Sequence, residues 1–268
     1  MQPRPGASST VLRHSRNGAA KGNEKQKHNT NSIMRGTNVV LASAPFGNHM
    51  RIRLALRRAP ANTSRVSETF KPRDAKRFEA ALRRFDLENS RDPNREMANS
   101  ISHPRELLYA QRLSDWVLRL CPDASEELRL AARCQHICRW EIPRGSYPMT
   151  RPGYLKWRAD LKKFHAQKAG EILREAGYDE TAVRRVQELN LKKNFPDDPE
   201  TRVLEDALCL VFLQFQFAGL AAKTDEDKTS NALQKSWQKM TGTARAEAMK
   251  LDFGKREHCL LQRALKSR

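Results

Sequence analysis

Hydrophobic residues recur every three or four positions from about Phe70 onward, which is the period of an amphipathic α-helix. Breaks rich in Pro, Gly and Asn divide this pattern into eight predicted helices. Their bounds are Pro72–Phe85, Glu106–Cys121, Glu126–Trp140, Tyr154–Ala176, Asp179 or Thr181 to Lys193, Pro199–Leu220, Lys228–Thr241 and Ala244–Leu265. No alternating pattern of useful length predicts a strand. The sequence therefore predicts an all-α fold, a single compact helical bundle over residues 70–268.

The sixth predicted helix is apolar nearly all round, which is typical of a helix at the centre of a bundle. Glu205 and Asp206 lie near its start, so at least one carboxylate is expected to face the interior. A buried carboxylate needs a cation, a metal ion or a proton beside it. The apolar run is shorter than the eighteen residues of a membrane span, and so the sequence predicts no membrane insertion.

Residues 1–66 lack the helical period and carry twelve Lys and Arg against one acid, Glu24, in a chain whose net charge is +19. Such a composition predicts a disordered basic segment, because it cannot bury enough apolar surface to offset the entropy of ordering. Arg-rich, Ser-containing and acid-poor sequence is typical of an organelle transit peptide. We expect a targeting segment and a mitochondrial protein, with plastid and cytoplasm as alternative locations. The alternative to targeting is a disordered basic tail that contacts nucleic acid or has no partner.

The five cysteines are scattered and form no CxxC pair, which favours a reducing compartment over a disulfide framework or structural zinc. The chain also has no Gly-rich phosphate loop, and its Ser, His and Asp residues give no order that predicts a nucleophile.

Basic and aromatic residues alternate between Arg139 and Arg158, where four of the eight Trp and Tyr residues lie around a loop rich in Pro and Gly. This pattern suits phosphates beside stackable bases. A stripe on the third helix, spaced by four, three and four residues and including His136, also suits an anion. The predicted ligand-binding residues are Arg133, Trp140, Arg144, Tyr147, Arg151, Tyr154 and Arg158. The alternatives are a loop pinned by its aromatics and a solvated helix face.

A series of ordered motifs is similar to the family called domain of unknown function 4202, over residues 72–265. The motifs include Asp86-Leu-Glu-Asn-Ser90, Glu106-Leu-Leu-Tyr-Ala110, Ile142-Pro-Arg144, Leu204-Glu-Asp206 and Lys235-Ser-Trp237. The resemblance implies no established activity. Members commonly read His-Asp-Glu-x-Lys after the sixth helix, where this chain has Thr224-Asp-Glu-Asp-Lys228.

A more distant resemblance is to the HD phosphohydrolases, helical enzymes that hold a metal ion with spaced His and Asp ligands. The stretches that carry it are Leu130-Ala-Ala-Arg-Cys-Gln-His-Ile and Phe164-His-Ala-Gln-Lys-Ala-Gly-Glu-Ile-Leu. The resemblance implies an HD-like bundle with His136, His165 and Asp206 as catalytic residues and metal ligands. Gln135-His136 stands where that family has His-Asp. His165 also lies on an apolar stripe, where a hydrogen-bonded core histidine is the alternative to a ligand.

These patterns together predict a helical domain that binds phosphate or a nucleotide. If it catalyses a reaction, we expect metal-dependent phosphoester hydrolysis with one divalent metal ion as the cofactor. The expected partner is a phosphorylated small molecule or RNA. The alternative is a non-catalytic organellar protein that binds RNA or a ribonucleoprotein.

Overall fold

The computed structural model describes residues 70–266, which form ten α-helices and one two-stranded hairpin. The helices are α1 (Ala75–Ser90), α2 (Arg105–Leu120), α3 (Glu126–Cys134), α4 (Arg151–Glu175), α5 (Glu180–Leu191), α6 (Pro199–Val211), α7 (Phe217–Lys223), α8 (Glu226–Lys239), α9 (Gly242–Ala248) and α10 (Lys255–Lys266). The predicted all-α fold is confirmed, with the hairpin as a local exception. The predicted basic segment, residues 1–66, lies outside the described residues, and so its disorder and targeting role stay predictions.

Side-chain caps determine where most of these helices begin. At seven N-termini, the residue before the first turn accepts a hydrogen bond from the backbone N–H three residues ahead, which satisfies a donor that has no partner in the helix. The seven caps are Asp74, Ser125, Thr150, Asp179, Asp198, Asp225 and Thr241. Ser125 and Asp179 begin helices as the sequence predicts.

The hairpin consists of β1 (Arg95–Ala98) and β2 (Ile101–Pro104), which pair antiparallel with Arg95 opposite Pro104. Its turn places Asn99 and Ser100 at positive φ angles of 49° and 64°. Asparagine tolerates this conformation better than most residues. No strand was predicted here, because each strand has only four residues, which is too short for an alternating pattern to stand out.

The third helix ends six residues earlier than predicted, because α3 stops at Cys134 and irregular turns follow. Cys138 adopts a left-handed φ of 52°, and its N–H donates to the side-chain oxygen of Asn89 at 3.2 Å. Ile137 and Cys138 are buried by this path, while His136 and Arg139 line a cleft. The early helix end therefore positions part of the candidate site.

The central helix α6 packs against α2, α3, α5, α8 and α9 and carries buried apolar residues such as Leu204 and Leu210. It continues into α7 through a π-helical turn, Phe212–Gln216, in which a backbone N–H bonds the carbonyl five residues earlier. The stretch Pro199–Lys223 is long and apolar enough to cross a membrane by length and composition alone, and half of its most apolar window is buried in the fold. A core helix has the same properties, and the absence of membrane insertion stays a prediction.

Candidate functional site

A cleft of about 1550 Å³ opens between α4, α6 and α8. The residues just after α5 and the irregular segment after α3 complete its wall. A typical small-molecule site has a volume of about 300–1,000 Å³, and so this cleft can hold a nucleotide or the end of a longer chain.

Basic side chains dominate the lining of the cleft. Among the residues that the structure describes, eight Lys and Arg but one carboxylate, that of Glu205, line it. The eight are Arg139, Arg158, Lys162, Lys192, Arg202, Lys228, Lys235 and Lys239. Low-dielectric walls that carry charges of one sign concentrate the electric field, so the cleft attracts anions.

Two lysines hold the carboxylate of Glu205. The Nζ atoms of Lys192 and Lys239 pair with its two oxygens, the second at 2.9 Å. Burial by itself raises the pKa of Glu205, but the two ammonium groups outweigh burial and hold the pKa below its ordinary value. The predicted buried carboxylate of α6 thus has cations beside it.

Lys162 lies half-buried on the opposite wall, on α4. Burial lowers the pKa of its ammonium group, and the nearby positive charges of Lys192 and Arg158 lower it further. Cations that repel one another at a partly buried site are stabilised when an anion binds between them.

His165 occupies the floor of the cleft and is only 3% exposed. Its Nδ1 lies 2.8 Å from the backbone carbonyl oxygen of Ile137. Since a carbonyl can only accept, Nδ1 carries the proton in this hydrogen bond. Burial, then the nearby His136, lowers the pKa of His165 to about 3, so its ring is neutral at physiological pH.

His136 stacks on Tyr109, with ring centroids 4.2 Å apart and planes within 12° of parallel. Its Nδ1 lies 3.5 Å from Oε2 of the buried Glu106. Burial raises the pKa of Glu106 to about 7, although Arg139 opposes that rise. Burial also lowers the pKa of His136, and the charges of Arg139, Lys192 and Arg158 add to the effect. The two histidines at the floor of the cleft are therefore neutral, beneath a cationic rim.

The three predicted metal ligands do not converge. His136 and His165 are neighbours, with ring centroids 5.7 Å apart, but Asp206 is directed away from the cleft. Its carboxylate accepts hydrogen bonds from the backbone N–H of Thr241 at 2.9 Å and from the Thr241 hydroxyl at 2.6 Å. Within residues 70–266, no group of three or more His, Cys, Asp and Glu side chains could hold a metal ion. His136, His165 and Asp206 therefore do not form one metal site, and the carboxylate of α6 that faces the cleft is that of the preceding residue, Glu205.

Of the seven predicted ligand-binding residues, Tyr154 and Arg158 line the cleft, and the other five lie elsewhere. The guanidinium of Arg133 forms two hydrogen bonds, of 2.6 and 2.7 Å, with the carboxylate of Asp86. Arg144 donates to the carbonyls of Tyr147 and Pro148 at 3.0 and 2.8 Å. These two arginines are therefore structural, because their donors already have acceptors inside the domain.

The remaining three of those residues also stabilise or flank the loop. The Tyr147 hydroxyl donates to Asp160 at 2.9 Å, and Trp140 packs half-buried against the core. Arg151 is exposed at the first position of α4. The alternative in which aromatic residues pin the loop to the bundle describes this segment better than a phosphate pocket does.

Most of the basic residues of the cleft were not predicted, because they come from five separate segments of the chain. A helical stripe was nevertheless visible on α4, where Arg158, Lys162 and His165 are spaced by four and three residues. The spacing of Lys228, Lys235 and Lys239 on α8 is seven and four, which also keeps one face. Lys192 belongs to no such stripe. It follows the last residue of α5, and its own backbone is left-handed, with a φ of 54°.

Comparison with known proteins identifies a family without naming an activity. No curated protein and no solved structure matches the chain. The more distant resemblance to the HD phosphohydrolases stays a prediction. One family, described as a domain of unknown function (DUF4202), matches residues 79–261, which span most of the described helices and include every basic residue of the cleft. The chain belongs to this family.

Proposed function

We propose that this domain binds a phosphorylated ligand, most simply a nucleotide, in the basic cleft. The observation that carries the proposal is the excess of eight basic side chains over one carboxylate in the lining. Phosphate groups bind to Lys as a point charge and to Arg through paired hydrogen bonds. Lys162 and Arg158 on α4 supply such charges, and the two lysines that hold Glu205 leave one further net positive charge beside them.

Aromatic side chains beside the cations favour a nucleotide over a bare anion. Tyr154, Phe195 and Phe212 line the same cleft. Arg158 lies over the ring of Tyr154, with the guanidinium carbon 5.9 Å from the ring centroid. Aromatic rings stack on bases of any identity, so this arrangement suits a base next to its phosphate.

Binding is the part of the predicted function that these side chains support. The hydrolase part depended on three converging metal ligands, and Asp206 is bonded to Thr241 instead. A divalent ion could still enter with the phosphates of a ligand, as Mg²⁺ commonly does. Metal analysis of the purified protein, with and without AMP, tests that remaining possibility.

Replacing Lys162 by methionine tests the proposal directly. Charge-assisted hydrogen bonds contribute about 1.5–3 kcal/mol each, so we expect Lys162→Met to weaken AMP binding about tenfold or more in calorimetric titration. The substitution removes a repelled charge and keeps the length of the side chain, so the fold is expected to persist. Lys163→Met is the matched control, because Lys163 is the adjacent, exposed lysine. Equal affinities for the two variants and wild type would contradict the proposal.

An extended RNA is the second candidate ligand, favoured by the net charge of +19 and the size of the cleft. Salt distinguishes the two. Binding of a single strand that contacts several phosphates falls steeply between about 50 and 200 mM salt, whereas one nucleotide in an enclosed site responds less. Titrations with AMP and with a twelve-nucleotide RNA, each at both salt concentrations, decide between them. Tighter and strongly salt-dependent RNA binding would favour the non-catalytic RNA-binding alternative.

A further inference from the structure

One ring nitrogen of His165 is unpaired although the side chain is almost fully buried. The residue is 3% exposed and lines the floor of the cleft. Its Nδ1–H donates to the carbonyl of Ile137, and this hydrogen bond fixes the tautomer of the ring. The other nitrogen, Nε2, has no protein partner among the residues that the structure describes. It therefore presents an unshared lone pair.

A lone pair in this position can only accept a hydrogen bond. Burial keeps the ring neutral, because the pKa of His165 is lowered to about 3. A neutral imidazole with its proton on Nδ1 has no second donor to offer. Buried polar groups in folded proteins are nearly always hydrogen-bonded, so an acceptor left over in a cleft floor points to a donor on a ligand.

The acceptor is also close to the cationic rim. The ring of His136 lies 5.7 Å from that of His165, and the charges of Lys192 and Arg158 act on His136. A molecule whose phosphate binds at these cations can thus reach the floor with its other end. The two features are therefore expected to recognise two ends of one ligand.

We infer that His165 is a specificity-determining residue whose Nε2 accepts a hydrogen bond from a hydroxyl or N–H group of a phosphate ester. This inference rests on the proposed function and narrows it. The ligand class is a phosphate ester whose organic part carries the donor group, such as a sugar phosphate or a nucleotide, and inorganic phosphate lacks that organic part.

Two substitutions separate the acceptor from the fold. His165→Asn keeps an amide donor near the position of Nδ1, so it can still bond the carbonyl of Ile137, but it has nothing at the position of Nε2. His165→Gln places an amide oxygen near that position and keeps an acceptor. Calorimetric titrations of wild type and both variants use three probes, which are inorganic phosphate, ribose 5-phosphate and AMP.

We expect wild type to bind one or both esters more tightly than inorganic phosphate. His165→Asn should lower the affinity for that ester about tenfold and change the affinity for inorganic phosphate less than about twofold. His165→Gln should retain most of the affinity for the ester. A loss shared by both esters identifies a sugar hydroxyl as the donor, and a loss confined to AMP identifies the base. If wild type binds phosphate and the esters equally, the inference fails and the proposed function stands. If wild type binds none of the probes, both fail.

A measurement on the wild-type protein removes any dependence on variant folding. The ¹⁵N resonance of unprotonated Nε2 should shift when AMP or ribose 5-phosphate binds and should stay unchanged with inorganic phosphate. Binding of the esters without any shift of that resonance would overturn the inference.

Discussion

At the scale of single residues, Glu106 makes the stability of the fold depend on pH. Its pKa rises from an ordinary value of 4.5 to about 7, mainly through burial, so between these values the folded state holds a proton that the unfolded chain releases. Stability from this group is therefore full below pH 4.5 and is lost as pH rises toward 7. Glu106→Gln cannot titrate, so we expect its stability to fall less than that of wild type between pH 5 and 8, by roughly 1–3 kcal/mol.

Urea denaturation of both proteins at the two pH values measures this difference. His136 and His165 have lowered pKa values and change stability in the opposite direction, since both are neutral when folded. Both histidines are present in both proteins, so the comparison isolates Glu106 together with its contact to His136, whose Nδ1 lies 3.5 Å from the carboxylate. Glu175→Gln, on an exposed residue, is the control. Parallel pH profiles for wild type and Glu106→Gln would show that Glu106 ionises normally.

Arg144 gives a second prediction at this scale, because it acts on the fold and not on the ligand. Its guanidinium bonds two carbonyls of the loop before α4. We expect Arg144→Ala to destabilise the domain by about 1–2 kcal/mol in urea denaturation and to leave the affinity for AMP unchanged. A variant of normal stability that binds AMP tenfold more weakly would restore Arg144 to the ligand site.

At the scale of elements, alanine substitutions at two glycines in the same loop region are expected to differ in their effect on stability. A Cβ added at Gly153 would overlap the backbone carbonyl of Pro148, whereas one added at Gly145 would meet nothing within 4 Å. Because a backbone carbonyl cannot move aside cheaply, we expect Gly153→Ala to destabilise the start of α4 by roughly 1–3 kcal/mol. Gly145→Ala should melt like wild type. Equal thermal midpoints for both variants would mean that the loop rearranges freely.

The elements themselves were largely predictable from local signals. The signals that predict a helix end lie within four residues of it. Examples are the caps Ser125 and Asp179 and the glycine after α4. The end of α3 was not predictable from local signals. It depends on a hydrogen bond from the N–H of Cys138 to the side chain of Asn89, which is 49 residues away in sequence. The same limit applies to the site, where His136 and His165 were predicted and Lys192 was not. Which of Glu205 and Asp206 faces the cleft depends on tertiary packing against α8 and α9.

At the scale of the whole molecule, positive charge is distributed unevenly and is concentrated in residues 1–66. That segment holds twelve bases and one acid and lacks the helical period of the domain. We expect its deletion to leave the thermal midpoint nearly unchanged and to move a fluorescent fusion out of its organelle. A large fall in the midpoint would show that the segment packs on the domain, and an unchanged location would contradict the targeting role.

The π-helical turn between α6 and α7 has a consequence for insertions and deletions in evolution. Such a turn accommodates one residue more than an α-helix of the same length, so the flanking helices keep their orientation. Loss of one residue inside Phe212–Gln216, such as the partly exposed Phe215, would turn the segment into continuous α-helix and leave Leu210 and Phe217 buried. Loss of one residue a turn later would rotate the helix beyond it by about 100° and expose its apolar side. Length changes in this helix are therefore expected to concentrate at the wall of the cleft, where Phe212 and Gln216 lie.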